Sequence, residues 1–191
     1  EAMQLINEQA RGAAEGLTRT LDDVLGEPAN VRLAQRELMR DTAAERDALY
    51  QDAYNSTYDM DSPQAQRLAE LVDRVDDDIL RRANNLMARE GKRSNQMRFV
   101  EDANGNIIDI EEMPDIRQID YITRALQSRS SVMGAEPEDV RTFSSLLRDI
   151  RNTADELVPE YRTARSRAAE VIGEREALEF GEQILSPKLN R

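Results

Sequence analysis

The chain has 191 residues, which is the size of one domain or of two small helical domains. It carries 38 acidic and 26 basic side chains, for a formal net charge of −12, and it contains no histidine, cysteine or tryptophan. This composition excludes thiolate and imidazole metal sites, disulfide bonds, cysteine or histidine nucleophiles and a Ser-His-Asp triad.

A stripe of apolar residues in a heptad-like pattern defines the first predicted helix. These residues are three or four positions apart and therefore share one face; they are Met3, Ile6, Ala10, Ala13, Leu17, Leu21 and Val24. Gly26 and Pro28 end this helix, because glycine suits the position after a helix and proline cannot continue one. Because the sequence begins with Glu1 rather than methionine, we expect it to be a fragment of a longer chain.

Two further long helices are predicted in the first half of the chain. Asn30 is a suitable N-cap for a helix that runs to about Asn55. A third helix is predicted from about Pro63 to Glu90, with Ser62 as its cap, because proline is tolerated at the first helical position. Long helices joined by short breaks favour antiparallel neighbours in a bundle or a coiled-coil-like arrangement.

A β-hairpin is predicted after these helices. Met97–Glu101 and Ile107–Ile110 are short β-like runs on either side of Asn104 and Gly105. The Asn-Gly pair predicts a type I′ turn, in which both residues have a positive φ. Since an isolated two-stranded hairpin is only marginally stable, it is expected to pack on helices or on a partner.

The loop of this hairpin contains some of the residues of a calcium-binding loop. An EF-hand loop needs oxygen ligands at positions 1, 3 and 5 and glycine at position 6. When the loop is counted from Asp102, the glycine falls at position 4. The spacing therefore favours a hairpin turn over a calcium site.

Helical patterns return after Pro114, in shorter pieces. One helix is predicted up to about Ser131, and another begins at Pro137, where two acidic residues follow the proline and favour a helix N-terminus. Pro159 is expected to break or kink that helix. A new helix then runs to Gly173, and a last helix covers residues 174–185.

The chain is thus predicted to be mainly α-helical with one small hairpin. We expect a long-helix region over 1–91, a hairpin insertion over 92–113 and a bundle of short helices over 114–191, which can also form one continuous domain. No run of residues is long and apolar enough to span a membrane.

Three tyrosines follow one another at four-residue intervals. At this spacing, Tyr50, Tyr54 and Tyr58 fall on one face of a helix. Aromatic rings on one face can stack on nucleic-acid bases. They also suit packing against a neighbouring helix with the hydroxyl groups at the rim, and this interpretation is favoured because the net negative charge of the chain repels phosphate.

An acidic cluster on the predicted third helix is another candidate site. Asp73 and Asp77 are one helical turn apart and could share a divalent cation. The cluster also includes Glu70, Asp76 and Asp78. Arg74 and Arg81 lie three and four residues from Asp77, and Arg82 lies four residues from Asp78, so these arginines would neutralise the acids instead. A salt-bridged, solvated helix face is the favoured interpretation.

The C-terminal helices carry several arginines that could form a basic strip. They are Arg148, Arg151, Arg162, Arg165 and Arg167, and the acidic residues between them are Asp149, Asp155, Glu156 and Glu160. Intramolecular pairing is therefore expected. The sequence has no nucleophile elbow, no Walker-type loop and no dinucleotide-binding fingerprint, so we predict no enzyme activity, no catalytic residues, no cofactor and no metal.

Three groups of residues follow one another in the second half of the chain: Asp120-Tyr121-Ile122 with Arg124 and Leu126, Val158-Pro159-Glu160-Tyr161 with Ala164-Arg165, and Ala177-Leu178-Glu179 with Gly181. In this order they resemble segments of phage and prophage proteins of the internal-virion or DNA-ejection type, and of very large polyvalent phage proteins. The resemblance covers residues 97–185.

This resemblance implies a structural role in a virion that is assembled in the host cytoplasm. Such proteins travel in the capsid and help to form a conduit for DNA, so other virion proteins or identical copies are the implied partners, with DNA contacted indirectly because the chain is acidic. The positions that we interpret as packing or interaction candidates are Tyr50, Tyr54, Tyr121, Ile122, Leu126, Pro159, Tyr161 and Gly181. Asp120 and Arg124 are expected to form an intrahelical ion pair.

Two other functions remain open from the sequence. The chain could be an accessory helical domain of a larger phage enzyme, such as a peptidoglycan-cleaving protein. It could also be a host-directed binding module whose acidic surface mimics nucleic acid. The favoured hypothesis is a non-enzymatic, oligomeric assembly protein, because thin apolar stripes are completed by partners or by identical copies.

Overall fold

The protein is mainly α-helical with one two-stranded antiparallel hairpin, as the sequence predicts. The structure is a computed structural model that describes residues 31–130 and 137–185; the first predicted helix, over residues 3–24, lies outside them. The elements are α1 (Val31–Asp41), α2 (Ala43–Asn55), α3 (Pro63–Val72), α4 (Asp77–Arg89), a 3-10 turn (Arg93–Asn95), β1 (Phe99–Glu101), β2 (Ile107–Ile110), α5 (Ile116–Ser130), α6 (Pro137–Leu157) and α7 (Pro159–Leu185).

The described residues belong to two compact units. The central unit comprises residues 46–130 and 137–166, and the terminal unit comprises residues 31–45 and 167–185. Each unit combines residues from both halves of the chain. The longest helices of the described part, α6 and α7, have 21 and 27 residues. The sequence predicts shorter helical pieces in the second half, and this prediction is wrong for these two helices.

The predicted third helix is wrong, because the structure divides it into α3 and α4. The chain leaves the helix after Val72, and Asp76 takes an extended conformation with φ −61° and ψ 146°. Aspartate favours caps and first turns over helix interiors, and the acidic residues that begin α4 face the positive end of its dipole. The break also places Val75 in the core, where it is buried.

Two other helix boundaries differ from the prediction. Residues 31–55 form two helices that are interrupted at Thr42, whose hydroxyl donates to the Leu38 carbonyl over 2.7 Å. At the C-terminal end, α7 continues through Gly173. A single glycine inside a helix costs only about 1 kcal/mol, which does not end a helix of this length. The predicted boundary at Pro159 is confirmed, since α6 ends at Leu157 and α7 begins at the proline.

The centre of the core is formed by α5, which packs against α4 and α6. Eight of its 15 residues are buried: Ile116, Ile119, Asp120, Tyr121, Ile122, Thr123, Ala125 and Leu126. Because burial extends over most of the circumference of this helix, α5 is enclosed by its neighbours. A buried polar residue on this helix must therefore find its hydrogen-bonding partners inside the protein.

The hairpin forms where the sequence predicts it, but its turn is of a different kind. Phe99 pairs with Ile110 and Glu101 with Ile107, with an irregularity between Val100 and Glu101. Gly105 has a φ of +82°, whereas the described residues include no non-glycine residue with a positive φ. The type I′ turn is therefore wrong.

The side chain of Asp102 explains this turn. Its Oδ1 accepts hydrogen bonds from the backbone N–H groups of Asn104 and Asn106 at 2.8 and 2.9 Å. The Gly105 N–H also donates to the Asp102 carbonyl over 3.0 Å. These bonds close a wider loop than a two-residue turn, and they use the Asp102 carboxylate as a turn acceptor.

Polar side chains of α4 attach the hairpin and its preceding segment to the helices. Asp77 Oδ2 accepts a hydrogen bond from the Ile107 N–H over 2.7 Å. Arg81 donates to the Gly105 carbonyl over 2.6 Å and forms an ion pair with Glu101 at 2.9 Å. The hairpin is thus held by backbone hydrogen bonds as well as by packing, which meets the requirement that a two-stranded hairpin has outside support.

Asn84 holds the segment that leads into the hairpin. Its Oδ1 accepts from the Met97 N–H and its Nδ2 donates to the Met97 carbonyl, both over 2.8 Å. Gln96 in turn donates to the Asn84 carbonyl over 2.9 Å. Because Met97 is buried, the amide of Asn84 satisfies a donor and an acceptor that water reaches poorly.

Replacing Asn84 by alanine is expected to lower the free energy of unfolding by about 1–3 kcal/mol, since two backbone groups of Met97 lose their partners. The same change at the exposed neighbour Asn85 is the matched control, and an effect within about 0.5 kcal/mol is expected there. Chemical denaturation of both variants measures the difference. Equal losses would show that the Met97 hydrogen bonds contribute nothing specific.

Candidate functional site

The strongest polar site of the described residues is a cluster of three tyrosines around one buried aspartate in the central unit. Asp120 lies on α5, Tyr50 and Tyr54 lie one turn apart on α2, and Tyr161 lies in the first turn of α7. Three helices that are distant in the sequence therefore meet at one carboxyl group. We call these four residues the tyrosine–aspartate cluster.

Both carboxylate oxygens of Asp120 accept a hydrogen bond from a tyrosine. The Tyr161 hydroxyl donates to Oδ1 over 2.9 Å, and the Tyr54 hydroxyl donates to Oδ2 over 3.1 Å. The Asp120 residue is only 7% exposed and Tyr161 is fully buried. Since the hydroxyls come from α2 and α7 and the acceptor comes from α5, the two bonds connect three helices.

Aromatic contacts complete the cluster. The Tyr50 ring lies 5.7 Å from the Tyr54 ring and 6.4 Å from the Tyr161 ring, measured between centroids. The guanidinium of Arg117 lies 4.9 Å from the centroid of the Tyr54 ring. Such tilted and edge-on ring pairs, and a cation over an aromatic face, are favourable geometries. They fix the positions of the rings whose hydroxyls reach Asp120.

Burial determines the titration of this cluster. It raises the pKa of Asp120 above the ordinary aspartate value, although the hydrogen bonds from Tyr161 and Tyr54 and the positive charge of Arg124 oppose this shift. Burial and the negative charge of Asp120 also raise the pKa of Tyr54 and of Tyr161. The tyrosines therefore remain protonated donors throughout the neutral range.

The geometry suits a connection between helices. Both oxygens of the carboxylate are occupied by donors of the same chain, and Asp120 and Tyr161 are buried. Burial also raises the pKa of Tyr50 to about 12. This tyrosine therefore stays protonated at neutral pH, like Tyr54 and Tyr161. The cluster acts as a buried polar network, which specifies one arrangement of helices when every member is satisfied.

A second polar group lies at the end of α4. The Tyr121 hydroxyl donates to Glu90 Oε2 over 2.5 Å, and Arg124 forms an ion pair with the same carboxylate. The Arg124 guanidinium also lies 4.6 Å from the centroid of the Tyr121 ring. The hydrogen bonds from Arg124 and Tyr121 lower the pKa of Glu90.

The predicted ion pair between Asp120 and Arg124 is therefore wrong. Arg124 is hydrogen-bonded to Glu90, and Asp120 is hydrogen-bonded to two tyrosines. The physical reason is burial: Asp120 faces the core, where tyrosine hydroxyls are available, whereas Arg124 lies at the edge of the core and can reach the partly exposed Glu90. Residues four positions apart on a helix need not point at each other when tertiary partners compete.

The remaining packing candidates lie at different places. Ile122 and Leu126 are fully buried on α5. Pro159 is the exposed first residue of α7, and Gly181 lies near the end of the same helix. Tyr58 lies beyond the end of α2, so the three tyrosines do not share one helix; its hydroxyl donates to the Pro114 carbonyl over 3.0 Å.

The acidic cluster does not form the predicted salt-bridged helix face. Asp73 follows the end of α3 and Asp77 begins α4, so these carboxylates lie on different helices. Arg81 and Arg82 bind residues outside the acidic cluster. Arg81 forms an ion pair with Glu101 of β1, and Arg82 donates to the Ser128 hydroxyl of α5 over 2.6 Å. The helix break that separates the aspartates removes the spacing on which the prediction depended.

The arginines of the C-terminal helices are paired with acidic residues inside the chain, as predicted, at three positions, one of which is Arg167 with Glu45. Arg165 forms an ion pair with Asp155 at 2.8 Å, and Arg148 lies 3.6 Å from Asp149. Arg151 instead donates to the Gln127 side chain over 2.7 Å, and burial lowers its pKa. These contacts use the guanidinium groups within the fold.

Sequence reasoning missed two functional features of this structure. The first is Asn84, which no local motif marks because its partner Met97 lies 13 residues away. The second is the role of Asp120 as the common acceptor. Its sequence signal was an aspartate between Ile119 and Ile122 on an otherwise apolar helix face, because a lone acid on such a face needs buried donors.

Comparison with known proteins finds no matching family model, no similar curated protein and no similar solved structure. Within residues 31–130 and 137–185, no group of three or more acidic side chains is arranged to hold a metal ion. In the same part of the chain, no helix has both the length and the apolar character that crossing a bilayer requires.

Proposed function

We propose that this chain is a non-enzymatic structural and assembly protein of a phage particle, of the internal-virion or DNA-ejection type. It acts by packing against other virion proteins or identical copies, and it associates with phage DNA only indirectly. The proposal is based on the resemblance that the sequence of residues 97–185 bears to such proteins. A helical unit whose central polar groups connect its helices to one another is compatible with it.

The outer side of the hairpin is the observation that carries the proposal. Val100 is 40% exposed and Ile108 is 64% exposed, and they lie on β1 and β2. Large apolar side chains on two edge strands are suited to contact with another chain. Asp77 and Arg81 hold this hairpin on α4, so it is presented in a fixed orientation.

The charge of the chain favours protein partners over direct contact with DNA. A formal net charge of −12 repels the phosphate backbone, on which most nucleic-acid affinity depends. The arginines with partners inside the fold, such as Arg165 with Asp155, are occupied by that pairing. We therefore assign any association with DNA to a partner protein.

Sedimentation velocity over a wide range of protein concentrations tests the assembly surface. The wild type is expected to self-associate, and replacing Ile108 by aspartate is expected to weaken association by about tenfold or more, which corresponds to about 1.4 kcal/mol. Replacing Met60 by aspartate is the matched control, because Met60 is 52% exposed and lies in the turn between α2 and α3. Equal weakening by both changes would contradict a specific hairpin surface.

Mass spectrometry of purified particles tests the biological part of the proposal. The protein is expected to be a component of the particle and to leave it when the genome is released. A chain that is monomeric at every concentration and absent from purified particles would contradict the proposed function.

A further inference from the structure

A basic patch lies at the C-terminal end of α4. Residues 81–98 contain six basic side chains and one acidic side chain, for a formal net charge of +5 in a chain whose total is −12. Arg89, the last residue of α4, is exposed, and so are Lys92 and Arg93 in the segment that follows. We call these three residues the basic patch. In the part of the chain that the structure describes, none of the three forms an ion pair.

The hairpin has the opposite charge. Residues 99–115 contain six acidic side chains and no basic one, for a formal net charge of −6. Val100 and Ile108 are 40% and 64% exposed, and Asp109, which pairs with Val100 across the two strands, is exposed as well. We call Val100, Ile108 and Asp109 the hairpin surface. It combines an apolar pair with an acidic surrounding.

The hairpin surface and the basic patch belong to opposite ends of α4. Asp77, the first residue of this helix, accepts a hydrogen bond from the N–H of Ile107, the neighbour of Ile108. The helix has 13 residues, so Arg89 at its other end lies about 18 Å away. This distance exceeds the Debye length of about 8 Å at physiological ionic strength. The two surfaces of one copy therefore do not neutralise each other.

The charges of the two surfaces indicate what binds the hairpin. A second hairpin would bring another six acidic side chains against the first, and like charges that face each other across an interface are unfavourable. The basic patch has the complementary charge, and the aliphatic stems of arginine and lysine cover apolar surface while their charged groups stay in water. We propose that the hairpin surface of one copy binds the basic patch of a second copy. This inference rests on the proposed assembly function, because it names the partner of the same hairpin.

A contact between two different surfaces leads to head-to-tail association. Each bound copy keeps one unoccupied surface, so that further copies are added until a ring closes or a filament forms. A contact between two identical surfaces would end at a dimer. Species larger than a dimer are therefore expected to increase with protein concentration and to decrease with added salt, since the charges are exposed.

Charge reversal in the full chain tests the proposal by sedimentation velocity. The double variant Arg89→Glu with Arg93→Glu is expected to weaken self-association by about tenfold or more, because it places acidic side chains opposite the hairpin. The matched control is Arg141→Glu with Arg162→Glu, which changes the net charge equally at two exposed arginines of α6 and α7. This control is expected to associate as strongly as the wild type.

A mixture of two variants tests whether the two surfaces bind each other. Ile108→Asp damages the hairpin surface and keeps the basic patch, whereas Arg89→Glu with Arg93→Glu damages the basic patch and keeps the hairpin surface. At a concentration at which neither variant associates alone, the mixture is expected to form dimers. It is expected to form no larger species, because the two chains together retain one intact contact.

Three results would overturn the proposal. They are a mixture that stays monomeric, equal weakening by the two double charge reversals, and a wild type that is monomeric at every concentration. If the wild type associates but the mixture does not, the assembly function stands and the basic patch is not the partner of the hairpin. If the wild type is monomeric but the protein is a component of purified particles, the virion role stands and a second copy is not the partner.

Discussion

Replacing Tyr161 by alanine is expected to destabilise the central unit by about 3–5 kcal/mol. The side chain is fully buried, so its removal leaves a cavity as well as a loss of apolar contact. The ring also packs edge-on to Tyr50 at a centroid distance of 6.4 Å, and its hydroxyl donates to Asp120. Alanine removes all three interactions at once.

Phenylalanine at the same position separates the hydroxyl from the ring. Tyr161→Phe keeps the ring and removes one of the two donors to Asp120, for which we expect a loss of about 1–2 kcal/mol. Chemical denaturation, with the midpoint and the slope fitted separately, measures both variants. If phenylalanine were as damaging as alanine, packing of the ring would be unimportant; if it were neutral, the hydrogen bond to Asp120 would contribute nothing.

The apolar pattern of the sequence was sufficient to predict the fold class, because helix formation depends on residues that are close together in the sequence. The stripe of α5 and the start of α6 at Pro137 follow from spacing and from cap chemistry that lie within a few residues. The break between Val72 and Asp77 was missed because apolar spacing continues across it. The preference of the aspartates for a helix N-terminus outweighed that continuity.

The polar site could be predicted only in part. The sequence marked Tyr54, Tyr161 and Asp120 separately, but the donors lie 66 and 41 residues from their acceptor. No periodicity connects positions at such separations. The local ion pair between Asp120 and Arg124 does not form. Burial brings tyrosine hydroxyls to the Asp120 carboxylate, and Arg124 at the edge of the core pairs with Glu90 instead.

The carboxylates of Asp120 and Glu90 are expected to affect stability in opposite directions as the pH changes. Burial raises the pKa of Asp120, whereas hydrogen bonds from Arg124 and Tyr121 lower the pKa of Glu90. Stability from Glu90 is therefore lost as the pH falls below its ordinary value of 4.5. The Glu90 side chain is 43% exposed, so solvent screens this contribution.

Replacing Asp120 by alanine is expected to lower the free energy of unfolding by about 2–4 kcal/mol at neutral pH. The buried hydroxyls of Tyr54 and Tyr161 lose their common acceptor, and the loss exceeds the gain from no longer burying a charge. Asparagine keeps the shape and one acceptor oxygen, so Asp120→Asn is expected to lose about 1 kcal/mol. Chemical denaturation of the wild type and both variants gives these differences.

The pH dependence of the same pair tests whether burial or hydrogen bonding dominates at Asp120. Because the pKa is raised in the folded state, the pH-dependent part of the stability that Asp120 contributes is present below its ordinary value of 3.8 and is lost as the pH rises through the folded value. Subtracting the Asp120→Asn curve from the wild-type curve cancels Glu90 and the other shared groups. The difference is expected to fall as the pH rises. If it rises instead, the tyrosine donors favour the ionised carboxylate more than burial opposes it.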